Sequence, residues 1–154
     1  MGVSRDSVEI RADSEAVFDL IHDYPRRLTW DSFLREAKLC DGAARAAVGA
    51  KAYCAARWVV GGLAMETEYV TFKRPSVAAV RMTRGPALLA SFAATIRQKQ
   101  LAAGRCRVTY ISRIRVRPRL LRPILEPVVR WVFTRETRRR LSSLRAYFDR
   151  VDSP

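Results

Sequence analysis

Histidine occurs once in this sequence, at His22, and cysteine three times, at Cys40, Cys54 and Cys106. The cysteines are odd in number and widely spaced, with no CxxC pair and no histidine nearby. That spacing speaks against a metal site and against a disulfide framework. It favours three reduced, part-buried strand residues and a cytoplasmic setting. Long apolar runs are missing as well, and none approaches the roughly 18–20 residues that span a bilayer. The opening MGVSRDSVEI lacks the apolar core of a signal peptide, and Asp6 stands where a myristoylation signal needs Ser or Thr. There is no Gly-rich phosphate loop and no dinucleotide fingerprint, so no cofactor is expected. No serine or cysteine lies in a recognisable nucleophile motif. Aromatic stacking platforms and RNA-binding modules are absent, and specific DNA binding is not expected.

Negative charge is scarce: 15 acidic residues face 29 basic ones, for a net charge of +14. Only Lys38, Lys51, Lys73 and Lys99 are lysines. The preference for arginine, with abundant alanine, reflects a GC-rich genome but does not explain the excess over acids. Residues 113–150 hold twelve arginines against Glu126, Glu136 and Asp149, a local balance of +9. Such a field attracts anionic partners, or simply keeps the protein soluble. A composition 49% hydrophobic and 29% charged is that of a globular chain, and 154 residues can bury one real core. With no repeat, low-complexity segment or linker, the expectation is a single domain over 1–154.

SVEIRA (7–12) alternates and predicts a short strand. Asp13 or Ser14 then caps a helix whose apolar positions are Val17, Phe18, Leu20 and Ile21, ended by Pro25. RRLTWDSF predicts one further short helix or turn. From 34 to 117 the segments LREAKLC, AKAYCAARWVV, LAMETEYVTFK, SVAAVRMT, ASFAATIRQKQ and CRVTYISRIRV are strand-like, with short turns between them. That spacing predicts an antiparallel meander. In the last of them Val108, Tyr110, Ser112, Ile114 and Val116 share one face. Arg113 and Arg115 share the other with Arg107, Thr109 and Ile111, and are expected to be wet. Pro118 ends this strand, and a long helix follows. LLRPILEPVVRWVF (120–133) is apolar nearly all round. Beyond it Phe133, Thr137, Leu141, Leu144, Phe148 and Val151 form one stripe, with Arg135, Arg138, Arg139 and Arg145 on or near the other side.

The order of these elements, and the stretches VEIRADSEAVFDLIHDYPRRLTWD, MTRGP and CRVTYISRIRV with its following helix, resemble the START/SRPBCC superfamily, especially its polyketide cyclase/dehydrase-like branch. The likeness covers essentially the whole chain. It implies an α+β helix-grip fold: a curved antiparallel sheet of six or seven strands wrapped around a long C-terminal helix, with two short helices after the first strand. It also implies a cavity between sheet and helix that takes an apolar small molecule. Alternation places Met65, Thr67, Tyr69, Ala78, Val80, Met82, Phe92, Ala94, Ile96, Tyr110, Ser112 and Ile114 on the inner faces. Val128 and Val132 of the helix are expected to complete the lining, with Trp30 at the mouth as a lid or, alternatively, packed on the helix. The same faces could instead close into a solid core.

Aromatic-polyketide cyclases of this superfamily carry an arginine on the strand matching METEYVTF, where Tyr69 stands here. Tyr69 and Tyr110 are the candidate proton donors, against the plainer reading of core tyrosines. His22, near a helix end, is expected to be a capping or surface residue. Asp23 and Asp31 are expected to cap helices or pair with Arg26 and Arg27, both facing water. HDYPRRLTW also resembles quinone-chaperone and ribosome-associated relatives. The apolar start of the last helix, beside Arg135, Arg138, Arg139 and Arg145, therefore suggests an anionic membrane, a ribosome or a homodimer contact, or equally a helix end buried under the sheet.

Overall fold

The computed structural model describes residues 2–151. Seven strands follow from the alternating segments: β1 (Gly2–Ile10), β2 (Leu34–Leu39), β3 (Lys51–Ala56), β4 (Ala64–Lys73), β5 (Val77–Arg84), β6 (Leu89–Ala102) and β7 (Arg105–Val116). They pair antiparallel in the order β1-β7-β6-β5-β4-β3-β2. This is the expected meander, with β1 closing against its last strand. Helix α1 (Ser14–Ile21) and a 3-10 turn (Tyr24–Thr29) follow β1, and α2 (Arg122–Val151) ends the described chain. The sheet is curled into a half-barrel around α2. This is the helix-grip arrangement that the resemblance implied.

The register slips between Glu66 and Thr67, and between Tyr69 and Thr71, on the β4–β5 pair. Such bulges add a residue to one strand and bend it, which curls a sheet and re-aims the side chains beside the bulge. On the inner face of β7 Cys106, Val108, Ser112, Ile114 and Val116 are buried and Tyr110 is half-buried, whereas Arg113 and Arg115 on the outer face are exposed; the outer-face Thr109 is buried against Ser7 of β1. The α2 stripe packs on this face. Leu141 and Leu144 join Val17, Leu20, Ile21 and Val108 in one core, and Leu125, Val129 and Phe133 pack against Leu89, Phe92 and Ile114 in another.

Five local expectations need correction. Strand β1 starts at Gly2, not at residue 7. Its first half lacks apolar alternation because Ser4 and Asp6 meet polar helix groups, Thr134 and Arg138. Helix α1 ends at Ile21, and Pro25 opens the next turn rather than stopping the helix. A proline suits a first turn, where its missing N–H would have had no partner. Asp13 occupies the N-cap without a side-chain cap bond, because its carboxylate binds Gln100 and the Gly104 amide instead. Trp58–Val60 is a 3-10 turn, not the end of β3. Val151 lies outside the packed stripe and is exposed.

The start of α2 is apolar all round but is covered on one side only. Ile124, Val128 and Trp131 are exposed, as is Leu120 just ahead of the helix. Of the four outward arginines, Arg138 pairs with Asp6, Arg139 with Glu136 and Arg145 with Asp149, while Arg135 stacks on Trp131. No helix among the described residues is long and apolar enough to cross a membrane.

Candidate functional site

Between the concave face of the sheet and α2 lies a cavity of about 270 Å³. That is close to the lower end of the range for small-molecule sites. It exists because β3, β5 and β6 present small residues there: Ala56, Ala78 and Ala94 all line it. The side chains of α2 do not reach far enough to fill the space.

Eleven of the fifteen residues expected on the inner faces, on the helix or at the mouth are there. Met65, Thr67 and Tyr69 come from β4, Ala78 and Val80 from β5, Phe92, Ala94 and Ile96 from β6, Tyr110 from β7, and Val128 and Val132 from α2. Four are not. Trp30 is buried among Val17, Leu20, Leu141 and Leu144, so it plugs the core behind the cavity rather than covering a mouth. Met82 and Ile114 pack beside the cavity in the Leu89 cluster. Ser112 is fully buried, and its hydroxyl has no partner among the described residues. The half-exposed Leu63 and Val128 mark where the cavity meets solvent.

The sequence reading missed the polar groups that line it. Arg27 does not face water: it is buried, and its Nε donates to Asp31 Oδ2 at 2.9 Å while Nη1 donates to the Ile21 carbonyl at 2.8 Å. Arg140 enters from α2, where its Nε and Nη2 donate to Asp31 Oδ1 and Oδ2 at 3.1 and 2.9 Å. Asp31 also accepts from the Phe33 amide. The carboxylate thus holds two guanidiniums at once. Burial pushes Asp31 upward, but Arg140 and Arg27 outweigh it and hold it below its usual range. For both arginines burial disfavours the charge, and Asp31 more than restores it. Asp23 makes the other expected pair, with Arg26, at 3.9 Å on the surface.

Beside this triad runs a second buried network. Tyr69 Oη lies 2.9 Å from His22 Nδ1 and 2.8 Å from Tyr24 Oη. His22 holds the C-cap of α1 but is buried among the rings of Phe18, Phe72 and Tyr69, which corrects the expectation of a surface residue. Burial, aided by Arg27, lowers its pKa to about 3, so the ring is neutral. Burial raises Tyr24 to about 12 and Tyr69 well above its ordinary value. His22 Nε2 has no partner among the described residues. An unmatched lone pair costs less than an unmatched N–H. The favoured polarity is therefore Nδ1–H to Tyr69, Tyr69 O–H to Tyr24, and the Tyr24 hydroxyl free toward the cavity it lines. Tyr110 lies under the Arg140 guanidinium, outside this chain of hydroxyls.

Signals for both networks were present. Arg140 stands three residues after Thr137 and four before Leu144, on the buried stripe; His22 stands four after Phe18. No group of three or more metal-ligating side chains occurs among the described residues.

A family model described as polyketide cyclase/dehydrase and lipid transport matches residues 1–149. No curated protein matches the sequence. Many solved structures share the fold. A START superfamily protein from Mycobacterium smegmatis superposes with a TM-score of 0.81 at 10% identity, covering 97% of this chain and 98% of its own. A protein from Thermus thermophilus gives 0.81 at 13%, covering 99% and 100%. The Zhui aromatase/cyclase from Streptomyces sp. R1128 gives 0.77 at 14%, covering 97% and 94%. At these identities the likeness is one of fold.

Proposed function

The chain belongs to the polyketide cyclase/dehydrase and lipid transport family, and from that premise we propose that it binds and carries an apolar small molecule between sheet and α2. The observation that carries this reading is the cavity itself: an unfilled, largely aliphatic and aromatic space with a few polar groups converging on it. Native mass spectrometry of protein purified from its own host should show a co-purifying lipophile. Ala94→Phe, which puts a ring into the cavity from β6, should lower the affinity for a neutral dye such as Nile red by about tenfold or more. That loss corresponds to about 1.4 kcal/mol. If the dye binds the plugged variant as well as the parent, ligands do not occupy this space.

A second reading, a cofactor-independent polyketide cyclase or dehydrase, is favoured by one observation: the His22–Tyr69–Tyr24 network at the cavity wall. Both tyrosines hold their protons firmly, so Tyr24, supported by Tyr69 behind it, would act as a donor to a carbonyl oxygen during ring closure, not as a base. Tyr69→Phe breaks the relay and leaves Tyr24 in place. On a poly-β-ketone thioester it should reduce kcat by about 100-fold with KM little changed. Turnover equal to that of the parent would remove the relay from the chemistry.

A further inference from the structure

We propose that the ligand carries a carboxylate head group, held by Arg27 and Arg140, and is thus an amphipathic acid rather than a neutral lipophile. This rests on the carrier reading above and narrows it.

Arg27 and Arg140 are the charged side chains on the cavity wall. One carboxylate, Asp31, serves both, and its two oxygens accept three guanidinium N–H groups and the Phe33 amide. The neighbouring titratable groups supply no second negative charge, because His22, Tyr24 and Tyr69 are neutral. Glu136, also on α2, pairs with Arg139 instead. The cluster therefore carries one surplus positive charge against an apolar cavity.

Such a charge is expensive when buried without a partner. A tie between the Tyr24–Thr29 turn and α2 needs only one arginine for its carboxylate. The second is surplus to that task. Donors remain available as well. Arg27 uses Nε and Nη1, and Arg140 uses Nε and Nη2, which among the described residues leaves Arg27 Nη2 and Arg140 Nη1 for a ligand. Two such N–H groups suit a carboxylate, whose charge-assisted bonds are about twice as strong as neutral ones. The rest of the ligand would lie along Phe92, Val80 and Val132.

The test compares decanoic acid with methyl decanoate and 1-decanol, and naphthalene-2-carboxylic acid with its methyl ester. Each displaces Nile red from the whole chain at pH 7. Each acid should bind at least about tenfold tighter than its ester, the effect of one charge-assisted interaction. Arg140→Gln should bring the acid down to the affinity of the ester and leave the ester within about twofold. Should that variant fail to fold, the parent protein still decides: the resonance of a 13C-labelled carboxyl group should titrate at lower pH when bound than when free. Acids and esters binding the parent equally would overturn this inference and leave the carrier reading standing. If neither the dye nor any of the five compounds binds, the carrier reading fails and this inference with it.

Discussion

Asp31→Asn is expected to cost the fold about 3–5 kcal/mol, the loss seen when one partner of a buried ion pair is removed. The side chain of Asp31 is fully buried, and those of Arg27 and Arg140 are 8% and 16% exposed. Asparagine keeps the shape and one acceptor but points an NH2 at a guanidinium and removes the only negative charge between two positive ones. A domain of this kind is stable by about 5–15 kcal/mol, so the loss would be a large share of the total. Urea unfolding measures it as a fall in midpoint with little change in slope. Asp6→Asn is the control. It breaks an ion pair whose arginine, Arg138, is 71% exposed, and should cost no more than about 1 kcal/mol. The double variant Asp31→Asn, Arg140→Met should recover part of the loss, since it removes one of the stranded charges. The pH dependence has a fixed sign. Because Asp31 is held below its ordinary pKa, its contribution is present above about pH 4 and is lost as pH falls through the folded value. An Asp31→Asn protein within 1 kcal/mol of its parent would mean that solvent already screens the triad.

The triad also shows where sequence reading stopped. Periodic elements were legible: β7 alternates along most of its length, and α2 repeats Thr137, Leu141 and Leu144 at helical spacing. The cavity lining followed from the same arithmetic, because strands at known register put alternate residues on one face. Arginines at 138, 139 and 140 look alike in a row of letters, yet each step turns the helix by about 100°. Two of them meet water and the third meets Asp31. Trp30 was ambiguous because its residue type suits a lid and a core plug equally. Only its neighbours, Leu20 and Leu141 among them, decide for the core. His22 does cap α1, as expected, but its burial was hidden for a related reason. A C-cap is usually at the surface, but this one lies under the β4 strand, where Tyr69 provides its hydrogen bond.

His22 also gives the protein a pH dependence that no other side chain can supply, since it is the only histidine in the chain. In the unfolded state its pKa is about 6.5, and in the fold burial lowers it to about 3. Between these values the unfolded chain binds one proton more than the folded one. Stability therefore falls as pH falls through this window, at up to about 1.4 kcal/mol per pH unit. From pH 7 to pH 5 the integrated loss should be about 2 kcal/mol. The window is separate from the carboxylate window, because the contributions of Asp31 and Asp19 begin to fade only near pH 4. Urea unfolding at pH 7, 6 and 5 reads the loss, and calorimetry at pH 5 in buffers of different ionisation enthalpy should count close to one proton taken up. His22→Gln keeps a group that can bond Tyr69 Oη but cannot titrate. Whatever that variant costs in absolute stability, its change between pH 7 and pH 5 should shrink to under about 0.5 kcal/mol. The slope is the property of the buried imidazole, and stability that is flat over this range in the parent protein would place His22 in contact with water.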